Sequence, residues 1–340
     1  MEAAGRSNGA HSPARRRLAG RAGAAAAGLV ALAALAAGGA RPAAEFRCAL
    51  LLAGPENDEG WNQSAYEGLQ LIERRLDADV RKVRASSATQ IEQALTGAAQ
   101  QGFHFVYGHG FEFNAPAARV AAAWPEVRFA TAGGPKSAGN LASIVLRTEE
   151  AAWQLGILAA HLSRSGIVSS LHGEAYEPVK RVAAAFAAGG RSVKPDLTVL
   201  EAYLGSWDDV ALAKERALAH ASAGADLFFQ NADAAGAGVF EACRARGALA
   251  FGCNRDQSPK APDVILASAV ADIPDLLLML ATEARDGTFQ GGVRSFGLRE
   301  GKVRVVYNRA LESRVPAAAK RAMERAAAAI VRGELSVGGP

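Results

Sequence analysis

The chain has 340 residues, half of them hydrophobic, and a formal net charge of +4. That length and composition suit a globular chain of two α/β lobes and exclude a disordered or fibrous one. Residues 1–40 carry five Arg and one Glu, the whole of the excess, so the remainder is balanced and gives no electrostatic case for a nucleic-acid partner.

Arg15, Arg16, Arg17 and Arg21 precede a small apolar run over residues 24–37, followed by Gly38-Gly39-Ala40. A charged region, an apolar region and a small-residue cleavage zone in that order mark a signal peptide. Residues 1–45 are therefore expected to be a signal peptide and leader, cut near residues 40–45. The run is too short and too rich in Ala to read as a membrane span. No Cys follows it in a lipobox arrangement, because Cys48 lies inside the next apolar segment. The expected product is periplasmic and carries no lipid anchor. The adjacent arginines leave the general and twin-arginine export routes both open.

Residues 48–53 are small or apolar and end at Gly54-Pro55, which reads as a buried strand. Leu69, Leu71, Ile72 and Leu76 follow at helical spacing. Asp58, Trp61 and Asn62 thus fall on a loop between the end of a strand and the start of a helix. Ligands of open α/β sheets bind at that place. Trp61 offers a flat face for a ring, Asp58 and Asn62 offer hydrogen-bonding groups, and free N–H groups at the helix start are expected to favour a polar ligand group.

The same alternation runs on. Short apolar strands are expected at 103–107, 127–131, 167–170, 197–202, 227–230, 249–253 and 265–270. Helices are expected at 89–101, 115–124, 149–163, 178–192, 211–224, 236–247 and 317–332. This βαβ rhythm implies parallel sheets with right-handed crossovers. The loops after these strands hold further candidates. His109 sits between Gly108 and Gly110, followed by Phe111, which either lines a cleft or packs under the next helix. Trp207 lies in Gly205-Ser206-Trp207-Asp208-Asp209, where the two acids also suit helix capping. Asn231 and Asp233 follow one strand, and Asn254 and Asp256 follow another. Gly236-Ala237-Gly238 lacks the third glycine and the acid of a dinucleotide fingerprint.

In their order, Asp58-x-x-Trp61-Asn62, Gly108-His109-Gly110-Phe111-Glu112-Phe113, Gly205-Ser206-Trp207-Asp208-Asp209, Gly224-Ala225-Asp226 and Asn254-Arg255-Asp256-Gln257 resemble the basic membrane protein (PnrA-like) family of ABC-transporter substrate-binding proteins. The resemblance spans residues 46–310. It implies a two-lobed type I periplasmic binding protein, each lobe a parallel sheet flanked by helices, with the ligand in the cleft between them. It further implies that Trp61 and Trp207 sandwich a purine base and that an ABC permease is the partner. On this resemblance lobe 1 is placed at 46–146 plus 269–290 and lobe 2 at 147–268 plus 291–332, with 333–340 a frayed tail. Members usually carry Asp where this chain has Asn254, and that Asp contacts the ribose. They also carry a sugar-binding Lys where Ala271 and Asp272 stand. These departures leave room for a free purine base as well as a nucleoside.

Three cysteines, Cys48, Cys243 and Cys253, leave at least one unpaired. Cys48 and Cys253 read as buried thiols, and a Cys243–Cys253 bridge stays open. No Cys/His spacing suits a metal, no cofactor is implied, and a monomer is expected. A Gly-x-Ser-x-Gly elbow, a P-loop and a His-Glu-x-x-His helix are all lacking, so the chain is not expected to be an enzyme. Two alternatives remain: a periplasmic sensor of this fold for another planar or sugar-like solute, and an enzyme using cleft carboxylates.

Overall fold

The computed structural model describes residues 46–338. The expected signal peptide lies outside them. The described residues form one compact unit.

The chain builds two six-stranded sheets. The first contains β1 (Arg47–Leu52), β2 (Asp79–Arg84), β3 (Phe105–His109), β4 (Arg128–Ala132), β5 (Leu141–Leu146) and, from much later in the chain, β11 (Gly292–Phe296). Their order is β11-β5-β4-β3-β1-β2, and every pairing is parallel. The second contains β6 (Ile167–His172), β7 (Thr198–Tyr203), β8 (Leu227–Asn231), β9 (Leu249–Asn254), β10 (Ile265–Ala271) and β12 (Val303–Tyr307). Its order is β12-β10-β9-β8-β6-β7, with only β12 antiparallel.

Helices cover both faces of each sheet, and strand alternation shows why. In β1, Cys48, Leu50 and Leu52 join the core under α1 (Trp61–Leu76) and α8 (Ile273–Arg285). Ala49 and Leu51, on the other face, join the core under α2 (Ala88–Gln100) and α3 (Asn114–Ala123). A strand buried on both faces needs apolar residues at every position, which is what made it visible in the sequence. In the second sheet, Leu227 and Phe229 of β8 face α4 (Glu149–Leu162), α5 (Glu177–Arg191) and α9 (Ala317–Arg332), and Phe228 faces α6 (Val210–Ser222) and α7 (Gly236–Arg246).

The chain passes between sheets after β5, β10 and β11. This corrects the expected lobe limits. All of β10, including residues 269–271, belongs to the second sheet, and β11 pairs with β5 in the first, so residues 292–296 are not part of lobe 2. The expected frayed tail also needs correction. Val337 is buried and its carbonyl accepts a hydrogen bond from Arg147. All three cysteines are free and buried, so the Cys243–Cys253 bridge is not formed. Among the described residues no helix is long and apolar enough to cross a membrane.

Candidate functional site

The loop after β1 is organised by Asp58. Its Oδ1 accepts the backbone N–H groups of Gly60 (3.1 Å) and Gln63 (3.0 Å). Its Oδ2 accepts the backbone N–H of Asn62 (2.8 Å) and the Asn62 side-chain amide (2.8 Å). The first turn of α1 leaves these donors without intrahelical partners, and a carboxylate there also meets the positive end of the helix. The one N–H that Asp58 does not reach, that of Trp61, donates to Asp233 Oδ1 at 3.2 Å. Asp233 follows β8 in the other sheet. The expectation of free N–H groups offered to a ligand at this helix start is therefore corrected: two carboxylates occupy them.

Trp61 and His109 form a second unit. Their rings stack at 4.1 Å between centroids and 18° between planes. His109 Nε2 lies 2.9 Å from the Trp61 carbonyl, so Nε2–H donates and Nδ1 is left as an acceptor. Burial pushes the His109 pKa down to about 3, with the bond to Trp61 opposing, and the ring stays neutral. Nδ1 of His109 and Oδ1 of Asn62 are both buried without a hydrogen-bond partner. Both are acceptors, because the Asn62 amide nitrogen is spent on Asp58. The site thus holds two buried acceptors in need of donors.

From the second sheet come Asn231, Asp233 and Asn254, all buried. The Asn254 amide donates to Asp233 Oδ1 (3.0 Å) and approaches Asn231 Oδ1 (3.4 Å). Asp233 is raised to about 7, first by burial and then by the charge of Asp58, against the hydrogen bonds from Asn254 and Trp61. The neutral Asn254 amide thus supplies a donor to Asp233, which an ionised carboxylate at that position would not.

The structure brings Asp58, Trp61, Asn62, His109, Asn231, Asp233 and Asn254 into one connected cluster. The other three candidates stand apart from it by their contacts. Phe111 is 56% exposed. Trp207 packs its indole over Gly173, where any Cβ would lie 2.3 Å from the ring, and its nearest aromatic partner is Tyr176 at 6.3 Å. Asp256 is exposed and closes a turn onto the Ser258 N–H and hydroxyl. Asp209 caps α6 by accepting the Leu212 N–H, and Asp272 caps α8 and pairs with Arg304.

Other contacts between the two halves were not legible beforehand. Lys260 pairs with Glu59, and Arg255 pairs with Glu67 at 3.0 Å. Gln257, buried after β9, reaches the Glu59 carbonyl at 3.4 Å while its Oε1 accepts the Cys253 N–H. Gln257 lay inside a recognised motif, but nothing local marked it as a bridge. Among the described residues no group of His, Cys, Asp and Glu is arranged to hold a metal ion.

Two parallel α/β sheets whose strand-end loops meet in this way define a two-lobed solute-binding protein of the type I periplasmic fold. The fold is similar to that of an ABC-transporter solute-binding protein from Aeropyrum pernix K1, with a TM-score of 0.79 and 22% identity over 86% of this chain and 92% of that one. The chain belongs to the family of PnrA-like ABC transporter substrate-binding proteins, whose model matches residues 46–333. Its relatives include a purine-binding protein of Brucella abortus, 27% identical over 88% of this chain and 85% of the relative. Another is an ABC transporter nucleoside-binding protein of Lactococcus lactis, 26% identical over 73% of this chain and 77% of the relative. Members of this family are the binding components of transporters, working outside the cytoplasmic membrane with a permease complex, and are not enzymes.

Proposed function

We propose that this protein binds a purine base or purine nucleoside between its two lobes and delivers it to an ABC permease. The observation that carries the reading is the Trp61–His109 stack beside two unpartnered acceptors. His109 covers one face of the indole, and a planar ligand takes the other. Asn62 Oδ1 then accepts an N–H group of the ligand, such as an exocyclic amine or a ring N–H. Purine bases supply both a π-face and such donors, and the names of the two relatives agree. Leaving a buried acceptor unmet costs about 1–3 kcal/mol, so ligands without donors are disfavoured. Trp207, with Tyr176 beside it, is the candidate for the second wall of the sandwich, contributed by the opposite lobe.

Asn254, Ala271 and Asp272 give the sugar neither the carboxylate nor the lysine usual in the family. Bases are therefore expected to bind about as well as their nucleosides. Isothermal titration with adenine, guanine, hypoxanthine and their nucleosides tests this. Tight binding of an aliphatic amino acid, with no heat from any purine, would falsify the proposal.

Export is the other part of the reading. In a Gram-negative host, osmotic shock is expected to release a mature chain beginning near residues 41–46, read by N-terminal sequencing. A full-length product confined to the cytosol would sink it.

A further inference from the structure

We propose that Asp233 is a positioning residue that latches the lobes: its carboxylate completes the cap of α1 from the opposite lobe, and closing the cleft over it takes up a proton. The inference rests on the two-lobed binding function above, but not on the identity of the ligand.

The geometry is specific. Asp58 holds the N–H groups of Gly60, Asn62 and Gln63, and Asp233 holds the fourth, that of Trp61. Three caps are local to one lobe and survive opening, and the fourth exists only when the lobes meet. The chain is shaped for this approach on both sides. A Cβ on Gly60 would stand 2.0 Å from Asp233 Oδ1. Asp233 itself has a φ of +46°, a left-handed conformation that costs energy in a non-glycine residue and is held here by its surroundings. The other interlobe ion pairs, Lys260–Glu59 and Arg255–Glu67, have exposed or half-exposed partners and are worth little individually.

The groups around Asp233 account for the proton. Asp58 faces it from the loop after β1 and repels its charge. From the end of β9 come the neutral amide of Asn254 and the Cys253 thiol, which burial pushes up to about 12. From the first lobe comes His109, neutral and bonded to the Trp61 carbonyl. A cavity of about 170 Å³ beside Asp233 is lined by Glu59, Glu241, Arg244, Gln257 and Lys260. Its cations are already matched: Arg244 by Asp263 and Lys260 by Glu59, while Glu241 is met by Lys214. No cation therefore neutralises Asp233.

The sign follows from linkage. In the closed form Asp233 titrates near 7. Opening returns it to water and away from Asp58, toward the ordinary carboxylate value. The state with the higher pKa gains as pH falls. Closure is therefore most favoured below the ordinary carboxylate value, and the advantage is lost as pH rises through about 7. A protonated Asp233 still accepts the Trp61 N–H through its carbonyl oxygen.

The test measures the affinity for adenine and for guanine from pH 8 to pH 5, together with small-angle scattering of the ligand-free protein over the same range. Affinity is expected to rise roughly tenfold or more toward pH 5. Titration at pH 6 in two buffers of different ionisation enthalpy is expected to show uptake of about one proton per ligand. The scattering is expected to show a more compact chain at pH 5. Asp233→Asn keeps an acceptor for Trp61 but cannot titrate, and is expected to flatten all three responses. Gly60→Ala blocks the contact from the other lobe and gives an independent route to the same loss. A flat response in the wild-type protein, or an unchanged slope in a folded Asp233→Asn, overturns the latch. A pH-dependent scattering change with no purine bound leaves the latch standing and removes only the ligand assignment.

Discussion

Replacing Asp58 with alanine is expected to lower stability by about 3 kcal/mol and to weaken ligand binding by roughly a hundredfold, the latter equivalent to about 2.7 kcal/mol. The side chain is buried and accepts three backbone N–H groups and one side-chain amide. Hydrogen bonds to a charged acceptor contribute about 1.5–3 kcal/mol each, and losing a simple helix cap costs about 0.5–2 kcal/mol. The sum of the bonds overstates the loss, because water enters the cleft and meets some donors. Relief of the repulsion between Asp58 and Asp233 offsets a further part. What remains still disorders the first turn of α1, and with it the Trp61 and Asn62 that the turn positions. Urea unfolding measures the first quantity and calorimetry the second. Asp58→Asn separates them from charge: it keeps one acceptor oxygen, so an intermediate stability is expected. If Asp58→Ala unfolds at the wild-type midpoint with wild-type affinity, Asp58 does not organise this loop.

Most strands buried on both faces were legible in the sequence. β1, β8 and β9 hold the apolar runs Cys48 to Leu52, Leu227 to Phe229 and Leu249 to Cys253, and their loops were placed at the correct ends. β2 was missed because it is an edge strand, reading Asp-Val-Arg-Lys-Val-Arg and exposed along most of its length. β11 was missed for a related reason: it is an edge strand beside β5, with alternate residues exposed, and it belongs to a sheet laid down 150 residues earlier. No local pattern reports a long-range pairing. β5 was missed although it carries the same kind of buried apolar run, Leu-Ala-Ser-Ile-Val-Leu. At the site, the residue types that could serve a ligand were readable, but their allegiance was not. Asp233, a candidate ligand contact, also holds the Trp61 N–H and the Asn254 amide. Asn254, a candidate at the position where a sugar contact was expected, also donates to Asp233. Both roles arise from residues far apart in the chain that only the two-lobed fold brings together.

Trp61→Ala is expected to weaken purine binding at least tenfold, about 1.4 kcal/mol, and Trp61→Phe to restore much of it. Stacking of a base on an aromatic side chain contributes about 1–3 kcal/mol by alanine substitution, and it depends on a π-face rather than on hydrogen bonds. Trp61 is held at both its backbone groups and at its ring. Its backbone N–H is fixed by Asp233, its carbonyl by His109, and its ring by the His109 imidazole. The alanine variant keeps both backbone bonds, so the lobes still meet and the loss falls on the ligand. Its stability is expected to drop by less than its affinity, since the indole is only partly buried. The same measurement on Trp207→Ala decides whether the sandwich has two aromatic walls. A comparable loss there establishes a clamp across the cleft, with the Gly173 platform holding the second indole. A loss at Trp61 alone leaves one-sided stacking backed by His109, and unchanged affinity in both variants ends the stacking model.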